Sequence, residues 1–226
     1  MPDLFKTIFD PFHRLYYVVL IFASVLSYLS YKRGSYKSIF ILILLVITVL
    51  FELLTSILKE NKVHNYIFIY SIFNTIEYTL FGVYYLKACN IKRTKILAKL
   101  SIVLFAINSL IVSFLVHQSA IRYEGLFSRN FNIEGLLLFI MYTHLLFTVD
   151  DDVTLPVYKH ADFWISIGVL VFYGGIFVLF GLYPILLHVD TGKEYGFIID
   201  PLNIFLYISI TIGLLCLLRN RKYLTP

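Results

Sequence analysis

Charge is scarce in this chain. Asp, Glu, Lys and Arg supply 15% of its 226 residues, where a soluble domain carries about 25%. Cysteine is scarcer still. Cys89 and Cys216 are the only two, which makes neither a zinc site nor, near the cytoplasmic ends of their segments, an expected disulfide. HExxH, GxSxG, the Walker loop, CxxC and the dinucleotide fingerprint are all missing. No lysine falls in the middle of any apolar segment, which excludes a retinal Schiff base. The proline-glutamine signature of carriers built as three-plus-one-plus-three helices is absent too. The N-terminus, MPDLFKTIFDPFHR, lacks the small-residue cleavage site of a signal peptide.

Apolar residues are what the chain has in quantity, at 59%, with a mean hydropathy of +0.82. They gather in seven blocks, 15–31, 39–58, 66–86, 100–117, 131–149, 163–187 and 201–218, of 17 to 25 residues each. Each block is long enough to cross a hydrocarbon core of about 30 Å. The expectation is an all-α, polytopic seven-helix membrane bundle over 15–218. Residues 1–14 precede it as an interfacial segment, with Leu4, Phe5, Ile8, Phe9 and Phe12 at helical spacing. Residues 219–226 follow as a short basic tail. The short loops leave no room for a soluble catalytic or DNA-binding domain. The net charge of +5 is therefore a topology signal, and no nucleic-acid partner is expected.

Lys and Arg counts set the orientation. Loops one, three and five plus the tail hold twelve, and the other side holds seven. This places the N-terminus outside and the C-terminus in the cytoplasm of a cell inner (plasma) membrane. Asp162 is expected to cap segment 163–187, and Asp200-Pro201 to start the last segment. Gly174-Gly175 allow close helix approach.

Against this apolar background, carboxylates stand out. An acid deep in a span costs about 2.5–3.5 kcal/mol on insertion scales, so it faces the protein, finds a partner or stays protonated. At 1.5 Å per residue, Glu52 lies about 9 Å, Asn74 about 12 Å and Glu77 about 16 Å below the outer end of their segments. Glu134 falls about one turn inside the fifth segment, Asn203 near the start of the seventh, and His117 ends the fourth. These six are the candidate ligand- or proton-binding residues, on four helices plus an outer histidine. Tyr70, Tyr78 and Tyr207 are candidate cavity-lining residues. Helix packing through buried polar groups explains the same residues equally directly, and an acid in a first helical turn also suits the dipole. FNTIE (73–77) and FNIE (131–134) are alike in letters but fall at non-equivalent expected depths, so they support no duplication. No catalytic set, cofactor or metal site is expected. Asp150, Asp151 and Asp152 have the composition of a solvated face.

FELLT (51–55), FNTIEY (73–78) and FWISIGVLVFYGG (163–175) resemble segments of small standalone bacterial seven-helix proteins, some of which are similar to the membrane halves of sensor histidine kinases. The resemblance implies a sensory role. Since the sequence ends in RNRKYLTP, the signal would pass to a separate partner. The leading expectation is thus a non-enzymatic, receptor-like subunit with an outward-facing polar pocket. The alternative is a proton- or cation-coupled transporter or ion-conducting protein. An intramembrane lipid enzyme and a structural subunit are the other two classes weighed. The aromatic-rich faces permit a homodimer in the bilayer.

Overall fold

A computed structural model describes residues 11–61, 67–117, 123–148, 156–186 and 195–219. Among these residues there are seven α-helices, one 3-10 turn (Val157–Lys159) and no strand. The helices are α1 (Pro11–Lys32), α2 (Ser38–Glu60), α3 (Ile67–Ala88), α4 (Lys92–His117), α5 (Tyr123–Thr148), α6 (Ala161–Leu186) and α7 (Tyr195–Arg219).

Six of them, all but α3, are long and apolar enough to cross a membrane, and they make this a multi-pass membrane architecture. α3 falls short because it carries Ser71, Asn74, Thr75, Glu77 and several tyrosines. It packs against α2, α4 and α5, and Ser71, Asn74, Glu77, Tyr78, Tyr84 and Tyr85 are buried along it. A helix wrapped by protein needs fewer lipid-compatible side chains than one facing lipid.

Helices α1, α2, α3, α5, α6 and α7 close into a ring, with α7 returning against α1, and α4 lies outside in the groove between α3 and α5. Consecutive helices alternate in direction. The end where α1 begins is called proximal here, and the end where it finishes distal.

Three seams fix the ring. Along α6–α7 the backbones approach at glycines. A Cβ on Gly168 would stand 2.8 Å from Ser209 Cβ and 3.2 Å from the Leu206 carbonyl oxygen. Gly175 faces Leu202, and Gly213 faces Ala161 and Ile165, in the same seam. Small residues at crossings are how helices associate where no hydrophobic drive separates protein from lipid. Between α1 and α2, Gly34 has φ 96°. Its N–H donates to the Tyr31 carbonyl at 2.9 Å and the Ser35 N–H to the Ser30 carbonyl at 3.2 Å. This is a Schellman closure, in which the left-handed residue favours glycine.

At the distal end, Asp162 accepts from the Tyr84 hydroxyl at 2.6 Å and from Lys37 Nζ at 3.1 Å. It thereby ties the start of α6 to the end of α3 and the start of α2. Asp162 was expected to cap α6. Instead α6 begins one residue earlier, at Ala161, and the carboxylate is committed to tertiary partners. Close by, the indole Nε1 of Trp164 donates to the Tyr158 carbonyl at 2.7 Å.

Four helices start four or more residues earlier than the apolar blocks predicted, α1 at Pro11 among them. α4 begins at Lys92, α5 at Tyr123 and α7 at Tyr195, because polar residues continue a helix past the hydrocarbon edge. Asp200-Pro201 therefore does not start α7. Pro201 lies inside that helix, and Asp200 lies 3.5 Å from His13. Pro11 to Arg14 belong to α1, and the rest of the predicted interfacial segment lies outside the described residues.

Candidate functional site

The earlier start of α5 moves Glu134 from the first turn to eleven residues inside the helix, about 16 Å from its proximal end. Glu77 lies ten residues inside α3, about 15 Å from the same end. The expectation of non-equivalent depths is thus corrected. The two FN-type motifs bring their glutamates to one level, and the expected partial solvation of Glu134 is corrected with it, since that residue is 0% exposed.

Tyr173 of α6 stands between them. Its hydroxyl donates to Glu134 Oε1 at 3.4 Å, and its side chain also interacts with Glu77. A phenol has one proton to donate, so it serves one carboxylate at a time. Glu134 Oε2 is buried with no hydrogen-bond partner, and so is Nδ2 of Asn74, one turn from Glu77 on α3. Glu77 is 6% and Asn74 1% exposed. Among the described residues no lysine, arginine or histidine forms an ion pair with either glutamate.

Glu52 belongs to a neighbouring group. The Tyr16 hydroxyl of α1 donates to Glu52 Oε1 at 3.0 Å. The Tyr16 ring lies 5.7 Å from that of Tyr207 on α7, and Tyr207 interacts with Thr48, Tyr16, Glu52 and Glu77. Tyr207 therefore connects the two acidic groups. Nearer the proximal end, His13 stacks on Tyr16 with ring centroids 5.8 Å apart, and His13 meets Asp200 at 3.5 Å. Both are about one-fifth exposed. The polar groups thus form a file from the proximal end inward: Asp200 and His13, then Tyr16 and Glu52, then Tyr207, then Glu77, Tyr173 and Glu134.

The remaining predicted residues are placed as follows. Asn203 is half-buried on α7, one turn before Tyr207. His117 ends α4, and its side chain lies outside the described residues. Tyr78 turns to α4, bonding Ser101 Oγ at 3.0 Å, and Tyr70 packs edge-on to Phe51. Tyr78 also feels the charge of Glu134. His144 is satisfied by the Tyr85 hydroxyl at 2.9 Å. Cys89 and Cys216 are free thiols. Asp150, Asp151 and Asp152 lie outside the described residues, and among the described ones no three His, Cys, Asp or Glu converge as a metal set.

Sequence reasoning missed Tyr16, Tyr173 and His13, for which no pattern signals a partner on another helix. It also missed Asn130, which donates to Ser109 Oγ at 3.2 Å and accepts from Asn108 at 2.9 Å. Ser109 in turn bonds Thr75 and the Ser71 carbonyl. That network is paired throughout and fastens the outlying α4 to α3 and α5.

A cleft between α5 and α6 is apolar, about 280 Å³, and lined by Gly135, Leu136, Phe139, Tyr173, Gly174 and Phe177. Gly135 and Gly174 open it by supplying no side chain where their helices face each other. The sequence matches no family model, no curated protein and no solved structure.

Proposed function

We propose that this chain is a receptor-like sensory membrane subunit with the group Glu77, Tyr173 and Glu134 at its centre, and that its ligand is a proton or a small cation. The observation that carries this reading is one hydroxyl placed between two buried carboxyls, with Glu134 Oε2 left unpartnered. Buried acids without a counter-charge are costly. A proton or cation taken from outside cancels that cost and pulls α3, α5 and α6 toward one another.

In this reading all seven helices span the membrane. α3, 22 residues long and ringed by spanning neighbours, makes the seventh crossing. The N-terminus is outside and the C-terminus cytoplasmic. The file from Asp200 and His13 is the entry route, and the distal end passes the change to a separate partner. Support for the orientation comes from the distal end carrying most of the basic residues.

The test is a cation, amine and pH screen read by thermal unfolding in detergent. Wild type is expected to show a rise in midpoint with at least one cation or on acidification. Glu77→Gln and Glu134→Gln are expected to express normally and to lose that rise. A wild type indifferent to every cation and to pH refutes the reading.

A second reading, a proton- or cation-coupled transporter, has one observation in its favour. Thr143, Ser166 and Thr211 hydroxyls are buried without partners in the distal half and would extend the file toward the cytoplasm. Proteoliposome flux that disappears in Glu77→Gln would select it.

A further inference from the structure

The distal end is strongly basic, and its densest group sits on a stiff turn. Only Cys89, Asn90 and Ile91 separate α3 from α4. The Thr94 hydroxyl donates to the Ile91 carbonyl at 2.9 Å and meets Cys89 Sγ at 3.2 Å, which holds the turn closed. Lys87 ends α3. Lys92, Arg93, Lys95 and Lys99 occupy the first two turns of α4, and all but the half-buried Lys95 are exposed. Lys92, Lys95 and Lys99 share a face at spacings of three and four, where like charges oppose one another along a helix. None of the five forms an ion pair among the described residues. Among the described residues, the acid at this end is Asp162, already held by Lys37 and Tyr84; Asp150, Asp151 and Asp152 of the α5–α6 connection lie outside the described residues.

Two further observations name what covers this patch. Exposed tyrosines stand at the same end, Tyr36 at 72% and Tyr158 at 58%, and tyrosine belts mark the headgroup level of a bilayer. Directly below the cations, α4 is the outlying helix of the bundle. Ile96, Leu97 and Leu100 are exposed by 66%, 65% and 54%, and the stripe continues through Val103 and Leu104. Cations at headgroup height above an uncovered apolar stripe match a molecule with an anionic head and hydrocarbon chains.

We propose that the α3–α4 turn and the first two turns of α4 bind an anionic phospholipid. Lys87, Lys92, Arg93 and Lys95 hold the phosphate, Lys99 reaches up to it from one turn below, and the chains lie along Ile96, Leu97 and Leu100. The site is independent of the acidic group in the bundle interior.

The test uses the full chain in phosphatidylcholine nanodiscs doped with phosphatidylglycerol, with bound lipid counted by native mass spectrometry and stability followed by thermal unfolding. Wild type is expected to retain phosphatidylglycerol and to unfold at a higher midpoint than in phosphatidylcholine alone. K92Q/K95Q is expected to lose about tenfold in retention together with the stabilisation, and K92R/K95R to keep both. R93Q/K99Q is the second variant, with the same expected loss, should the first fail to fold. The charge-matched K32Q/R33Q, at the same end, is expected to behave as wild type.

Three results would overturn the proposal. One is full retention in K92Q/K95Q or R93Q/K99Q. Another is equal loss in K32Q/R33Q, which would mean diffuse charge. The third is displacement of the lipid by inorganic phosphate at matched concentration, which would mean a free-anion site.

Discussion

Replacing Gly168 with alanine tests the seam that places two of the site tyrosines, because α6 carries Tyr173 and α7 carries Tyr207. The added methyl would stand 2.8 Å from Ser209 Cβ and 3.2 Å from the Leu206 carbonyl oxygen. Carbon atoms pack comfortably at about 3.5–4.0 Å. Both obstacles are fixed to the α7 backbone, so the helices must part by several tenths of an ångström. Overpacking of this kind costs about 1–3 kcal/mol. Alanine also gains about 0.8–1.0 kcal/mol over glycine in helix propensity, which masks part of the cost.

Gly174→Ala removes that ambiguity. It lies on the same helix, and its methyl would meet Phe139 at 3.5 Å and 3.9 Å, which is ordinary contact. The propensity gain is shared, so the difference between the two variants isolates the seam and is expected to be about 1–3 kcal/mol. At about 2–4 °C per kcal/mol for a chain of this size, Gly168→Ala should unfold about 2–12 °C below Gly174→Ala in the same detergent. Should Gly168→Ala match or exceed Gly174→Ala, the close-approach account of α6–α7 is wrong.

Further outcomes follow from the other contacts. Tyr173→Phe removes the hydroxyl that interacts with both Glu77 and Glu134. It is expected to cost about 0.5–1.5 kcal/mol in detergent unfolding and to abolish any ligand-induced stabilisation, and retention of that stabilisation would count against the shared-hydroxyl arrangement. Tyr84→Phe leaves Asp162 with Lys37 alone. Because Asp162 is partly exposed, the expected loss is about 1 kcal/mol, with faster hydrogen exchange at the start of α6. Asn130→Ala takes the acceptor from the Asn108 amide and one of three partners from Ser109. The expected loss is about 0.6–1.7 kcal/mol, from the mean to the maximum for interhelical bonds in a membrane protein, and cross-linking should show α4 loosened from α5 with the rest of the ring unchanged.

Much of the architecture is legible in the letters because hydrocarbon is a severe solvent. It demands long apolar runs, and six helices satisfy that demand openly. The ends are harder to read. Residues such as Tyr123 to Asn130 are polar enough to look like a loop, yet their backbone bonds continue the helix, and this misplaced Glu134 by two turns. Glu52, Glu77 and Glu134 were visible as carboxylates in apolar surroundings, but their partners were not. Tyr16 is one of eighteen tyrosines, and nothing local distinguishes it from those at the membrane interface. Asp162 looked like a cap because position was the available clue, whereas its bonds to Tyr84 and Lys37 depend on how three helix ends meet. Gly174 and Gly175 advertised close packing, and the structure divides them between α5 and α7, a distinction set by a rotation of 100° per residue.

The indole that bonds Tyr158 is the only tryptophan in the chain, and it lies two residues beyond the carboxylate that gathers α2, α3 and α6. Its emission therefore reports from a single place, without labelling. Quenching by brominated lipid would give its immersion directly. Any movement of that junction would register as a spectral shift in the native polypeptide, free of contributions from elsewhere.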